Sequence, residues 1–306
     1  MLKVRPLAIL ILLAMGTTWG LQVAMLKMAL ESGYRESQVM FCVLSLVAIA
    51  YLLILTGRRS LFRLTFDQLK FFIIVAVLGY ILPMGATLLA AETLSAGMLA
   101  LLISLAPIFT FAAATLFRTE PISRPRILAM ILGCCAVAVV MLPQTEMPDF
   151  GLLPWMLLAL VIPFCYGVES VYIDIRWPQG LDVLQVGFGE ALLAALLMIP
   201  LMLLRGDPIL FEWQWNPGSY AILVFAASGV IEVLMYFWLI KTTGGVLVSF
   251  ATFVSLFAGI GWGILLFGET HSHWLWLAVA VLVTALSMVS IDAMRSRRHI
   301  DATHPQ

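Results

Sequence analysis

The chain has 306 residues, 62% of them hydrophobic and 11% charged, with a formal net charge of zero and a mean hydropathy of +1.05. A soluble domain is about half apolar and about a quarter charged, and a globule of this size still exposes much of its surface, so composition excludes a water-soluble fold. Seventeen Lys and Arg balance 17 Asp and Glu, leaving no basic excess to recommend nucleic acid as a partner.

A helix needs about 20 apolar residues to cross the hydrocarbon core, and helices suit lipid because they satisfy their own backbone hydrogen bonds. Ten stretches qualify. The first, 6–30, follows Lys3-Val4-Arg5 and begins like a secretory signal, but it lacks a small-x-small cleavage site and continues to Leu30. A retained span is expected. Spans at 38–56, 71–90, 94–117 and 127–143 follow, broken by Gly57-Arg58-Arg59-Ser60 and by Pro121 to Arg126. Beyond Pro143 to Gly151 come 152–173, 182–204, 218–240, 245–267 and 274–292, with breaks at Pro178-Gln179-Gly180 and Arg205-Gly206-Asp207-Pro208.

Orientation follows from Lys and Arg, which gather on the cytoplasmic side. With the N-terminus inside, the inner segments hold Lys3, Arg5, Arg58, Arg59, Arg63, Lys70, Arg118, Arg124, Arg126, Arg176, Lys241, Arg295, Arg297 and Arg298, which is 14 of the 17. Only Lys27, Arg35 and Arg205 fall outside. Both termini are expected in the cytoplasm, with the protein multi-pass in a cell (inner) membrane.

The halves resemble each other at an offset of about 147 to 150 residues. Thr17-Thr18-Trp19-Gly20-Leu21-Gln22 stands opposite Phe164-Cys165-Tyr166-Gly167-Val168-Glu169, and Leu116-Phe117-Arg118-Thr119-Glu120 opposite Leu265-Leu266-Phe267-Gly268-Glu269. Five spans per copy is odd, so the second copy enters from the other side. The expected fold is an all-α integral membrane protein of ten transmembrane helices in two inverted five-helix repeats, with a substrate cavity where the copies meet. The first repeat covers 1–143, an outer connecting loop 144–151, the second repeat 152–293, and a cytoplasmic tail 294–306.

Ser95-Ala96-Gly97, Leu102-Ile103-Ser104-Leu105-Ala106-Pro107-Ile108-Phe109 and Glu120, with the early Trp19-Gly20 and the later Glu269, resemble the repeat of EamA-type permeases of the drug/metabolite transporter superfamily. The likeness covers residues 6–292. It implies ten helices, a central cavity lined by spans 1, 3, 4, 6, 8 and 9, and export or exchange of metabolites such as amino acids. The second copy has Leu256 where the first has Pro107.

Ionisable side chains within spans are costly and mark functional sites. Glu169, Glu190 and Glu232 all fall within roughly three helical turns of the cytoplasmic edge at 1.5 Å per residue. Glu169, opposite Gln22 in the repeat, is the first candidate, to bind a substrate ammonium or exchange a proton; the plainer reading is a side chain reaching toward Arg176. Glu232 lies among Gly229, Tyr236 and Trp238. Glu190 is expected to be peripheral, in packing or an ion pair, and Lys27 structural. Trp19, Tyr80, Tyr166 and Tyr236 complete the expected substrate-binding set with Glu169, Glu232 and Gln22, while Trp155, Trp274 and Trp276 suit interfacial anchors. Pro83, Pro107 and Pro163 are expected to kink spans 3, 4 and 6. Gly16, Gly20, Gly259, Gly261 and Gly263 permit close helix approach.

The function these features predict is secondary transport of small polar metabolites, amino acids or related compounds and drugs, by alternating access, with export favoured. The partners are the substrate and the bilayer. Proton coupling and oligomeric state stay open. No cofactor or metal is expected: Cys42, Cys134, Cys135 and Cys165 lie in apolar runs without metal-like spacing, and no P-loop occurs. One alternative is an intramembrane enzyme, for which Tyr172-Ile173-Asp174 and Gly187-Phe188-Gly189-Glu190 faintly echo paired-acid protease motifs. The other is a channel, disfavoured by the sparseness of polar residues.

Overall fold

The computed structural model describes residues 6–94, 102–119, 124–141, 150–208 and 213–268, with positions 99, 277, 280, 281, 283–285, 287 and 288 besides. The described residues are helical, without strands. Helix α1 spans Pro6–Glu31 and α2 Glu36–Gly57. A continuous segment then runs from α3 (Phe66–Ala76) through a π-helical turn (Val77–Ile81) into α4 (Leu82–Ala90). Helix α5 is Ala106–Leu116 and α6 Arg124–Met141. The second half holds α7 (Leu153–Ala159), α8 (Val161–Arg176), α9 (Val183–Arg205), α10 (Pro217–Thr243), α11 (Gly245–Ser249) and α12 (Ala251–Phe267).

Seven of these segments are long and apolar enough to cross a membrane: α1, α2, Phe66–Ala90, Leu153–Arg176, α9, α10 and Gly245–Phe267. The expected spans 4 and 5 correspond to shorter apolar helices, Ala106–Leu116 and Ile127–Ala136. The expected span 10 is helical at its described positions, and the rest of it lies outside the described residues. Leu53, Leu116, Leu204 and Leu265 are among many large apolar side chains turned outward, a surface that lipid rather than water covers.

Helix boundaries follow from local chemistry. Thr65, Asp182 and Asn216 each accept a hydrogen bond from the backbone N–H three residues on, and the side chains of Gln68, Gln185 and Ser219 accept one in turn from the backbone N–H of the cap, the reciprocal arrangement that starts a helix. Helices α9 and α12 stop at Gly206 and Gly268, whose φ values of 67° and 66° suit the left-handed closing position.

The three prolines stand beside irregularities in their spans. Pro83 follows the π turn, where the Leu82 N–H bonds back five residues to the Val77 carbonyl. Pro107 opens α5 after turn residues Ser104 and Leu105. Pro163 sits just past Leu160, the junction of α7 and α8. A proline lacks a donor and crowds the carbonyl four residues earlier, so the helix loosens on its N-terminal side. The chain from α11 to α12 turns at Phe250 without a proline.

Packing repeats between the halves. Helix α1 lies chiefly against α12 and α10, and α8, its counterpart, lies against α5 and the α3–α4 segment; α2 packs on α9 across the middle. One polar knot ties two loops together. Asp207 accepts hydrogen bonds from Arg35 and, at 2.6 Å, from Ser37, with Arg205 3.8 Å away. Burial by itself would raise the Asp207 carboxyl, but the Ser37 and Arg35 hydrogen bonds and the charges of Arg35 and Arg205 outweigh it and hold the group below the usual aspartate value.

Candidate functional site

Two glycine crossings set how the helices meet. A Cβ at Gly20 on α1 would stand 2.5 Å from the backbone nitrogen of Gly259 on α12, and one at Gly167 on α8 would stand 2.6 Å from that of Thr110 on α5. Backbone touches backbone at both seams, which only small residues permit. The two positions are 147 residues apart and so are close to equivalent in the repeat. A second pair follows the same logic. The Glu169 carboxylate lies against Gly79 in the π turn, 2.8 Å from where a Cβ would be, and the Gln22 amide lies 3.9 Å from the corresponding point at Gly229.

Three buried carboxylates lie within electrostatic reach of one another. Glu169 on α8, Glu190 on α9 and Glu232 on α10 are 5%, 2% and 9% exposed. The Tyr236 hydroxyl donates to Glu169, and the Trp19 indole N–H donates to Glu232. The Trp19 and Tyr236 rings sit 6.2 Å apart, tilted by 47°. Tyr80, in the π turn, is within electrostatic reach of all three acids, and Tyr166 of Glu169. Tyr51 on α2 faces Glu232 and Glu190, held there by its 2.6 Å hydrogen bond to the Val230 carbonyl.

The expected residues are therefore gathered in one region: Glu169, Glu232, Trp19, Tyr80, Tyr166 and Tyr236 directly, and Gln22 beside them, 3.4 Å from the Ser228 hydroxyl. Glu169 does not reach toward Arg176; its carboxylate is buried and bound to Tyr236. Glu190 departs from expectation. It is not peripheral but the most buried of the three, because Gly187 and Gly189 let α9 close on Tyr51, Val233 and Phe72. Its charged neighbours are Glu169 and Glu232, and Asp174 is not among the groups acting on it. Tyr51 was absent from the expected set, since nothing in its apolar surroundings in sequence distinguishes it.

Elsewhere, Lys27 lies over the Phe267 ring, 4.3 Å from its centre, and Tyr172 stacks on Phe71. Trp155 packs beside the cluster of Ala90, Leu94 and Ala159. Glu120, Glu269, Trp274 and Trp276 lie outside the described residues. Among the described residues, no three His, Cys, Asp or Glu are grouped as ligands for a metal ion. The four cysteines are free, with Cys165 buried and Cys135 exposed.

No curated protein sequence matches the chain significantly. Among the solved structures, 28 chains match. One, described only as "Crystal structure of protein", superposes with a TM-score of 0.77 over 94% of this chain and 99% of its own at 14% identity, which is a likeness of fold. The model of the EamA-like transporter family matches twice, over residues 6–142 and 153–291. With both halves matched in turn and nearly the whole length covered, the chain belongs to the EamA-like transporter family.

Proposed function

We propose that this member of a membrane transporter family is a secondary carrier that exports small polar metabolites by alternating access. In this reading the halves are inverted five-helix repeats, 1–143 and 152–293, that rock about the shared site, and both termini lie in the cytoplasm of a cell (inner) membrane. The observation that carries the proposal is the acid and aromatic cluster itself. It draws Trp19, Tyr51 and Tyr80 from the first copy and Glu169, Glu190 and Glu232 from the second, at the meeting of the two, where an inverted repeat builds its substrate site. Buried carboxylates in a bilayer are expensive and are kept for transport pathways. Glu169 binds substrate or carries a coupling proton, and Tyr236 orients it.

The test is a profile of metabolites inside and outside cells expressing the intact chain, Glu169→Gln or an empty vector. Export predicts a compound class that builds up outside only with the intact chain. Verified membrane expression with no shift in any compound counts against it. Reconstitution then separates coupling modes: a proton exchanger loses its dependence on the pH gradient in Glu169→Gln, and a facilitator does not.

A further inference from the structure

The site of the proposed carrier has three carboxylates and, among the described residues, no basic side chain beside them. No Lys or Arg is buried among the described residues. Those nearest the interior are engaged elsewhere: Lys27 over Phe267, Lys241 over Trp177, and Arg35 and Arg205 on Asp207. A buried charge without a partner is strongly destabilising even after the surroundings relax. Each carboxylate escapes that cost either by holding a proton or by meeting a cation that the described residues do not supply.

The three acids are not equivalent. Glu169 has Tyr236 as donor and Glu232 has Trp19. Glu190, the most buried at 2% exposed, has no hydrogen-bond donor among the described residues, and the charged groups acting on it are the other two glutamates. Its carboxylate acts on the cluster and is open to a donor that the described residues do not supply. The three are not grouped as ligands of one metal ion, so charge spread along an organic molecule suits them better than a point cation. The tilted Trp19 and Tyr236 rings, 6.2 Å apart beside Glu169 and Glu232, offer faces on which a cationic head can rest.

We propose that this site takes organic cations, ammonium or guanidinium compounds without a carboxylate, and rejects the zwitterionic amino acids that share their side chains. A ligand carboxylate brought among Glu169, Glu190 and Glu232 meets like charge and no basic partner, so discrimination rests on repulsion as well as attraction. Glu190 supplies the third contact, to the donor group that Glu169 and Glu232 leave unbound. The inference rests on the carrier reading above and narrows its substrate.

The test uses matched pairs that differ by one carboxylate: agmatine against arginine, and phenethylamine against phenylalanine. Binding to the purified full chain in detergent is measured by calorimetry at neutral pH. Each amine is expected to bind at least about tenfold tighter than its amino acid, and Glu190→Gln to weaken amine binding about tenfold, the effect of one charge-assisted hydrogen bond. Glu190→Asp, which keeps the charge, recovers part of that loss; it and Glu232→Gln serve as the measured variants if Glu190→Gln does not elute as a folded protein. Equal or tighter binding of the amino acids, failure of both amines to bind, or unchanged affinity in the glutamine variants overturns the proposal. Flux in proteoliposomes separates the two readings. Amines that bind but are not carried overturn the carrier and leave the ligand class standing; amino acids carried as fast as amines overturn the ligand class and leave the carrier standing.

Discussion

The Oε1 atom of Glu169 occupies the space in which a side chain at position 79 would begin: a Cβ on Gly79 would stand 2.8 Å from it. The obstructing atom is the end of a flexible side chain and not backbone. Gly79→Ala should therefore leave the helices in place and push the carboxylate aside. Transport is expected to fall about tenfold, roughly 1.4 kcal/mol, while the thermal midpoint in detergent stays near that of the unaltered protein. A large drop in midpoint with full activity in the surviving fraction would show that Gly79 serves packing alone.

Gly20→Ala and Gly167→Ala should behave in the opposite way. Each added methyl meets a backbone nitrogen, at 2.5 Å and 2.6 Å, so whole helices must separate. Overpacking of this kind costs typically about 1–3 kcal/mol. Gly57→Ala is the control, since nothing lies within 4 Å of its Cβ position. Thermal unfolding followed by tryptophan fluorescence should rank both seam variants well below Gly57→Ala; equal midpoints for all three would remove the seams as a source of stability.

Asp207 predicts an acid limb in stability. Its carboxyl is held below the usual value near 3.8 in the folded protein. A depressed folded value means that the contribution is fully present above the unfolded value and is lost as pH falls through the folded one. Unfolding midpoints should accordingly hold through mildly acidic buffers and drop below about pH 4 for this group. Asp207→Asn should cost about 1.5–3 kcal/mol at neutral pH, the range for hydrogen bonds to a charged group, and should flatten that part of the acid limb. An acid limb identical in Asp207→Asn would trace the loss to other groups.

The Tyr236 hydroxyl acts on the site through Glu169, so their substitutions should not add. Tyr236→Phe and Glu169→Gln are each expected to lower transport, the tyrosine change by about tenfold or less. The double variant should be no worse than Glu169→Gln alone. Independent, multiplying losses in a double-mutant cycle would mean that Tyr236 contacts the substrate by itself.

Long apolar runs made most spans legible. The expected 245–267 coincides with Gly245–Phe267, and α1, α2, α9 and α10 begin and end within three residues of expectation. Lipid imposes one simple rule on such segments, and hydropathy reads it directly. Pro83, Pro107 and Pro163 also announced their irregularities, because a missing donor acts locally. The site was only partly legible. Glu169 and Glu232 stood out as acids beside aromatics. Glu190 stood in an equally apolar run, and its direction depends on which face of α9 closes on α2 and α10. The available signal was the pair Gly187 and Gly189 immediately before it: two absent side chains mark the face that packs most tightly. Tyr51 gave no such signal, since its role comes from the Val230 carbonyl 179 residues away.

The glutamates all belong to the later copy, whereas Trp19, Tyr51 and Tyr80 belong to the earlier one. The duplicated halves have thus ceased to be interchangeable. A dimer assembled from two earlier halves would hold aromatic rings and none of the three glutamates, and one assembled from two later halves would crowd six acids together without Trp19 to donate to any of them. Fusion into a single polypeptide keeps one of each in every molecule, so the unequal inheritance of the two copies commits this protein to remaining one chain.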